Sequence, residues 1–272
     1  MTRRIAVAAL CLLFCAGREA AAQTCTLSIT ALSFGTYSGT LLDSTASGRV
    51  TCTGAWDIPM DAGTGAGATE TLREMTGAGG ATLSYQLFRD AARTENWGNT
   101  TTTELTGTGN ATITVYGQIP AGQTVAPGTY TDTIHTATTS FEVTVVVPAS
   151  CTLGASALAF GNYSGSVLNA TSTISVDCTN STPYNVGLNA GTSSGATVAN
   201  RSMTGPSSTL LGYKLFSDAG RTTNWGNTVG TDTKAGTGNG AVQTLTVYGQ
   251  IPAGELVRPG SYTDTVTATL TY

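Results

Sequence analysis

Six cysteines, one histidine and a thin scatter of carboxylates are the residues of this chain that could do chemistry. Cys11 and Cys15 fall in an apolar run near the N-terminus; the other four come as Cys25 with Cys52 and Cys151 with Cys178, 27 positions apart in both cases. A tetrahedral zinc site needs four clustered ligands, and two widely spaced thiols per half do not supply them. His135 is the single histidine. A Ser–His–acid or Cys–His set needs such a base, and the second half of the chain has none. Glu70 and Glu74 could pair as general acid and base, yet they sit in a Gly-rich loop and have no counterparts further on. Gly107-Thr-Gly-Asn110 and Gly236-Thr-Gly-Asn239 precede strand-like patterns, so they do not read as phosphate loops. The expectation is a protein that is not an enzyme, with no cofactor and no metal.

Arg3 and Arg4 open the chain, residues 5–16 are apolar but too short to span a bilayer, and Ala20-Ala21-Ala22 fits a small-x-small cleavage site. Residues 1–22 therefore read as a signal peptide, with a mature chain from about Gln23. A lipoprotein anchor at Cys15 is disfavoured by Phe14, where a small residue is expected. Without Arg3, Arg4, Arg18 and Glu19 the chain holds 9 basic and 15 acidic residues, a net charge of −6. Such a balance attracts neither nucleic acid nor anionic lipid, and no later run is apolar enough for an integral membrane segment. Only 10% of residues are charged; low charge with many β-branched residues suits packed strands better than disorder.

The elements that must position these residues occur twice. Leu32-Ser-Phe34-Gly35-Thr-Tyr37 matches Leu158-Ala-Phe160-Gly161-Asn-Tyr163. Arg73-Glu-Met75-Thr-Gly77 matches Arg201-Ser-Met203-Thr-Gly205, and Asn96-Trp97-Gly98 matches Asn224-Trp225-Gly226. Tyr116-Gly-Gln-Ile-Pro-Ala-Gly122 recurs from Tyr248, and Pro127-Gly-Thr-Tyr130-Thr-Asp132 recurs as Pro259-Gly-Ser-Tyr262-Thr-Asp264. A repeat of about 120 residues is a whole domain. Each half must solve the same problem with its own two thiols, so the duplication pairs Cys25 with Cys52 and Cys151 with Cys178. Each bridge is worth roughly 3–4 kcal/mol on loop entropy and implies an oxidising compartment. Short apolar/polar alternations between Gly- and Thr-rich turns predict an all-β chain of two tandem immunoglobulin-like sandwiches, residues 23–147 and 148–272.

The joint between the halves is distinctive. In an extended chain Phe141, Val143, Val145 and Val147 share one face, and Thr138-Thr139-Ser140 can turn that strand back on residues 130–136 to close the first domain. The rival reading makes residues 141–147 the first strand of the second domain, although no such strand precedes Cys25. After the corresponding strand of the second domain, residues 262–272, no further apolar strand follows. The second sandwich is therefore expected to lack its final strand and to leave an edge open.

These motifs together resemble the spore coat protein U domain family, the pilin domain of archaic (Csu-type) chaperone–usher pili. The resemblance covers nearly all of the mature chain. It implies a pilin that lacks its last strand, is capped by a periplasmic pilus chaperone, and is completed at an outer-membrane usher by a strand of the neighbouring pilin subunit. It further implies that Phe141, Val143, Val145 and Val147 are a donor strand serving the first domain, and that Val266, Ala268, Leu270 and Tyr272 form the acceptor edge a chaperone would cap. Two residues before Cys25 are too few to donate a strand, which points to the end of a fibre. A two-domain subunit of this kind resembles a tip adhesin, exported through the periplasm to the cell surface, with the first domain outermost. Its candidate surface-binding residues are Leu41, Leu42, Trp56, Ile58, Leu72 and Met75. The alternatives are a non-adhesive coat or fibre-shaft protein, or a self-contained secreted carbohydrate-binding module.

Overall fold

A computed structural model describes residues 24–272; the signal peptide expected over residues 1–22 lies outside them. The described chain is all-β apart from two three-residue 3-10 turns, Ala78–Gly80 and Pro206–Ser208. The first half contains β1 (Cys25–Ile29), β2 (Leu32–Thr36), β3 (Leu42–Cys52), β4 (Ala55–Ile58), β5 (Arg73–Thr76), β6 (Thr82–Phe88), β7 (Leu105–Thr108), β8 (Ala111–Ile119), β9 (Gly128–His135) and β10 (Ser140–Val147). The second contains β11 (Cys151–Ala155), β12 (Leu168–Cys178), β13 (Pro183–Leu188), β14 (Arg201–Thr204), β15 (Leu210–Phe216), β16 (Lys234–Thr237), β17 (Val242–Ile251) and β18 (Ala268–Thr271).

Alternation creates these strands. In β3 and β8 every second side chain enters the core while Thr, Ser and Asp face water, the period-two pattern of a half-buried antiparallel sheet. Both disulfides form as the duplication requires, Cys25–Cys52 across β1 and β3 and Cys151–Cys178 across β11 and β12. In the first half the ladder runs β1-β3-β8-β6-β5-β9-β10-β2, with a separate β4-β7 ribbon. In the second half it breaks into β11-β12-β17-β15-β14 and β16-β13-β18. Trp97 and Trp225 anchor the two cores; each is fully buried and donates its indole N–H to a strand carbonyl, Ile58 O at 2.8 Å and Val186 O at 2.7 Å.

The slot beside β9 sets the two halves apart. β10 pairs antiparallel with β9 along its whole length, from Ser140 opposite His135 to Val147 opposite Gly128, and parallel with β2 on its other side. Phe141, Val143, Val145 and Val147 are no more than 5% exposed. A turn closed by Thr136, whose N–H and hydroxyl both donate to Thr139 O, delivers the chain into this strand. In the second half, residues 158–162 and 260–267, the counterparts of β2 and β9, join no ladder beyond a single bridge between Thr204 and Thr263.

The expected continuous edge from Val266 to Tyr272 is not one strand. β18 runs straight on from residue 267 and pairs with β13, Leu270 opposite Val186 and Thr269 opposite Gly187. Pro59 stands in the first half where Gly187 stands in the second, and proline has no N–H to hold a strand there. The first half turns at Thr136, whereas the second lies down along β13.

Candidate functional site

Between residues 155–163 and 257–268 the second half opens into a groove made of two adjoining depressions of about 380 and 720 Å³. Leu158, Phe160, Met203 and Tyr262 line both depressions, and Ile174, Leu215 and Val247 form part of the floor. The first-half counterparts Leu32, Phe34, Met75 and Tyr130 are buried, whereas these four groove residues are only half-buried.

The walls are built before anything enters. Phe160 meets the Tyr213 ring edge-on at 5.9 Å, as Phe34 meets Tyr85 at 6.2 Å. A Cβ at Gly249 would come within 2.8 Å of the Phe160 ring, so a glycine beneath the aromatic is required for close packing. Tyr163 ties the lower end, its hydroxyl donating to Pro252 O at 2.8 Å and accepting from Glu255 N at 3.0 Å.

One charged group lies in the wall. Asp264 accepts from the Tyr213 hydroxyl at 2.7 Å, from Thr192 N and Oγ1, and from Thr265 N. Desolvation pushes its carboxyl up, but these hydrogen bonds together hold it below the usual carboxylate range. Burial first, and then the neighbouring carboxylate, push the Tyr213 hydroxyl well above the ordinary phenol value. Asp132 and Tyr85 repeat the arrangement in the first half, where Asp132 is buried beneath the completed sheet. These polar groups hold one another, so what the groove offers an incoming group is apolar surface and two unpaired backbone edges. Such a site suits an extended apolar strand.

The residues singled out from the sequence fall as follows. Val266 and Ala268 line the groove, Leu270 is engaged on β13, and Tyr272 is exposed. Leu41 and Leu72 are 55% and 44% exposed, and Leu42 and Trp56 are half-buried. Ile58 and Met75 are core residues, 3% and 0% exposed, so neither can touch a surface; the alternation that marked them as apolar points them inward. Nor do the exposed ones form one patch. Leu41 follows Gly39, which lines a cleft between the halves, whereas Trp56 lines a small cleft beside Cys25 at the opposite end. His135 Nδ1 lies 2.9 Å from Asp61 Oδ2 at an exposed position. Glu70 and Glu74 serve separate partners, Asn99 N and the Ser84 hydroxyl. Among the described residues no three His, Cys, Asp or Glu side chains gather as a metal site, and no helix is long and apolar enough to cross a membrane.

Sequence reasoning missed the Asp132 and Asp264 clamps and the buried Arg73 and Arg201. The available signal was their recurrence inside the Tyr-Thr-Asp and Arg-x-Met-Thr-Gly repeats.

Comparison with known proteins bears on the whole chain. It is 36% identical over 153 residues to Protein U of Myxococcus xanthus, an alignment that spans 50% of this chain and 85% of that protein. Among solved structures, the CsuC–CsuE chaperone–tip adhesion subunit pre-assembly complex from the Csu pili of Acinetobacter baumannii matches over 91% of this chain and 100% of that one, at 17% identity and a TM-score of 0.49. The CupB6 tip adhesin from Pseudomonas aeruginosa matches over 91% and 93%, at 11% identity and a TM-score of 0.42. The model of the Spore Coat Protein U domain matches twice, over residues 12–136 and 137–269. The border falls in the turn ahead of β10, so the family model counts β10 with the second copy while the sheet pairs it with the first half. With nearly its full length accounted for by two copies of that domain, the chain belongs to the Spore Coat Protein U domain family.

Proposed function

We propose that this chain is an exported subunit of a chaperone–usher pilus, placed at the fibre tip, whose second domain is completed by a strand of the neighbouring subunit. The observation that carries the reading is one slot present in two states within one molecule. Between β2 and β9 the slot holds β10; between residues 158–163 and 262–266 its counterpart is an apolar groove. A strand like β10 seated there would bury four large side chains, a gross gain of roughly 6–12 kcal/mol before ordering entropy is subtracted. β10 itself belongs by family match to one copy and by pairing to the copy before it. The same relation between separate chains yields a fibre.

The partners follow from the groove. A periplasmic pilus chaperone shields it after export, and an outer-membrane usher hosts its exchange for the strand of a neighbouring pilin. The tip position rests on β10 being already engaged within its own chain. Surface contact then falls to the sealed first domain, through exposed positions such as Leu72.

A second copy of residues 140–147, appended behind Tyr272 through a flexible linker, tests this. The extended chain should be monomeric, and its less stable unfolding transition should rise by roughly 10 °C or more. An unchanged transition would count against the strand-acceptor reading.

A further inference from the structure

The two halves meet at one pole of the first domain. Its loop at residues 37–39 and its turn at residues 122–125 face Pro148, Ser150, residues 177–180 and Gly240 across a cleft of about 370 Å³. Thr124 makes the close approach, since a Cβ on Gly240 would run into its methyl group. Chain length dictates this closeness. β10 ends at Val147 and β11 opens at Cys151; the four steps between them span at most about 14 Å. The body that follows a seated strand must therefore rest against the end of the slot. Thr179 holds that linker, its hydroxyl accepting from Ser150 N at 3.1 Å and its N–H donating to Ser150 O at 2.9 Å.

The second domain carries the same pole with different side chains. Gly254 N bonds Gly165 O at 3.0 Å, as Gly122 N bonds Gly39 O at 2.8 Å. Leu256 stands in the place of Thr124 and is 98% exposed. Leu210, also exposed, replaces Thr82 two positions from Gly212, which lies under Glu255. A lone exposed leucine is ordinary. This one occupies the position that contacts the next domain in the first half, and its neighbour Val257 lines the open groove.

We infer that the turn at residues 254–257, with Leu256 at its apex, is a second docking surface. It receives the body of the neighbouring subunit, a domain of this same fold, when that subunit's strand seats in the groove. The contacting face of the partner is the disulfide-bearing pole that residues 178–180 and Gly240 form here. This rests on the strand-acceptor reading above and adds that the strand does not bind alone: the pole contact sets the angle between successive domains and slows release.

The test uses two probes. A synthetic peptide of residues 140–147 offers the strand only. An extended chain, with a second copy of residues 137–272 behind Tyr272 through a flexible linker, offers strand and body together. A polarity-sensitive dye on Leu256→Cys of the first copy should shift to the blue in the extended chain, and stay unshifted in the native chain saturated with peptide. Leu256→Asp should lower about tenfold the free-peptide concentration that displaces the seated strand of the extended chain, while leaving the peptide Kd on the native chain within twofold. An unshifted dye despite a seated strand overturns the docking surface and leaves the strand reading standing. A peptide that does not bind the native chain overturns the strand reading itself.

Discussion

Asp264 and its partners show how single residues set the groove wall. The carboxylate takes four hydrogen bonds from Tyr213, Thr192 and Thr265, which pin the loop after β13 to the stretch that would flank an incoming strand. A carboxyl held below its unfolded value contributes stability that is present above the ordinary carboxylate pKa and is lost as pH falls through the lowered one. The second domain should therefore weaken below about pH 4, and Asp264→Asn should be less stable at neutral pH with a flatter acid limb. Urea midpoints taken from pH 7 down to pH 2 on the full chain check both statements. Arg73 and Arg201 act in the same structural spirit. Each is buried and donates to loop carbonyls, Arg73 to Asp61, Glu70 and Trp97, and burial draws both guanidinium pKa values down. The two arginine roles were not legible in the sequence beyond their recurrence, because their partners are backbone carbonyls and leave no side-chain pattern.

At the scale of elements, alternation identified which face of each strand is apolar, and the repeat identified the disulfides. Both follow from local geometry. The neighbour of a strand does not, because a period of two fixes faces and not partners. Val266, Ala268, Leu270 and Tyr272 alternate like one edge, yet β18 leaves that line for β13. The deciding residue sits elsewhere in the chain: Gly187 opposes Thr269, and Asn189 N, two positions on, bonds Thr267 O at 3.1 Å. Pro59 replaces that glycine in the first half. Gly187→Pro should thus release β18, with amide exchange across Ala268–Thr271 faster by about tenfold and a loss of roughly 1–3 kcal/mol in the second domain. Hydrogen exchange resolved to that segment would read it. Unchanged protection there would mean that side-chain packing of Leu270, and not the ladder bond, holds the strand.

Across the described molecule the same sandwich recurs, with β10 in the slot of the first half and an apolar groove at the matching place in the second. The duplication, the all-β class and the apolar face of β10 were all present in the sequence. The groove's walls were not legible there. They depend on Phe160 lying over Gly249, on Tyr163 tying residues 252 and 255, and on the Asp264 clamp, all contacts over 50 residues or more. Completion in the first half and openness in the second are the central claim, and segment-resolved hydrogen exchange on the full chain, with and without the free peptide of residues 140–147, tests it most directly. The amides of β9 should be protected throughout. Those of residues 260–267 should exchange quickly in the chain alone and become protected when the peptide is added. Equal protection of both segments in the unaccompanied chain, or no response to saturating peptide, would contradict it.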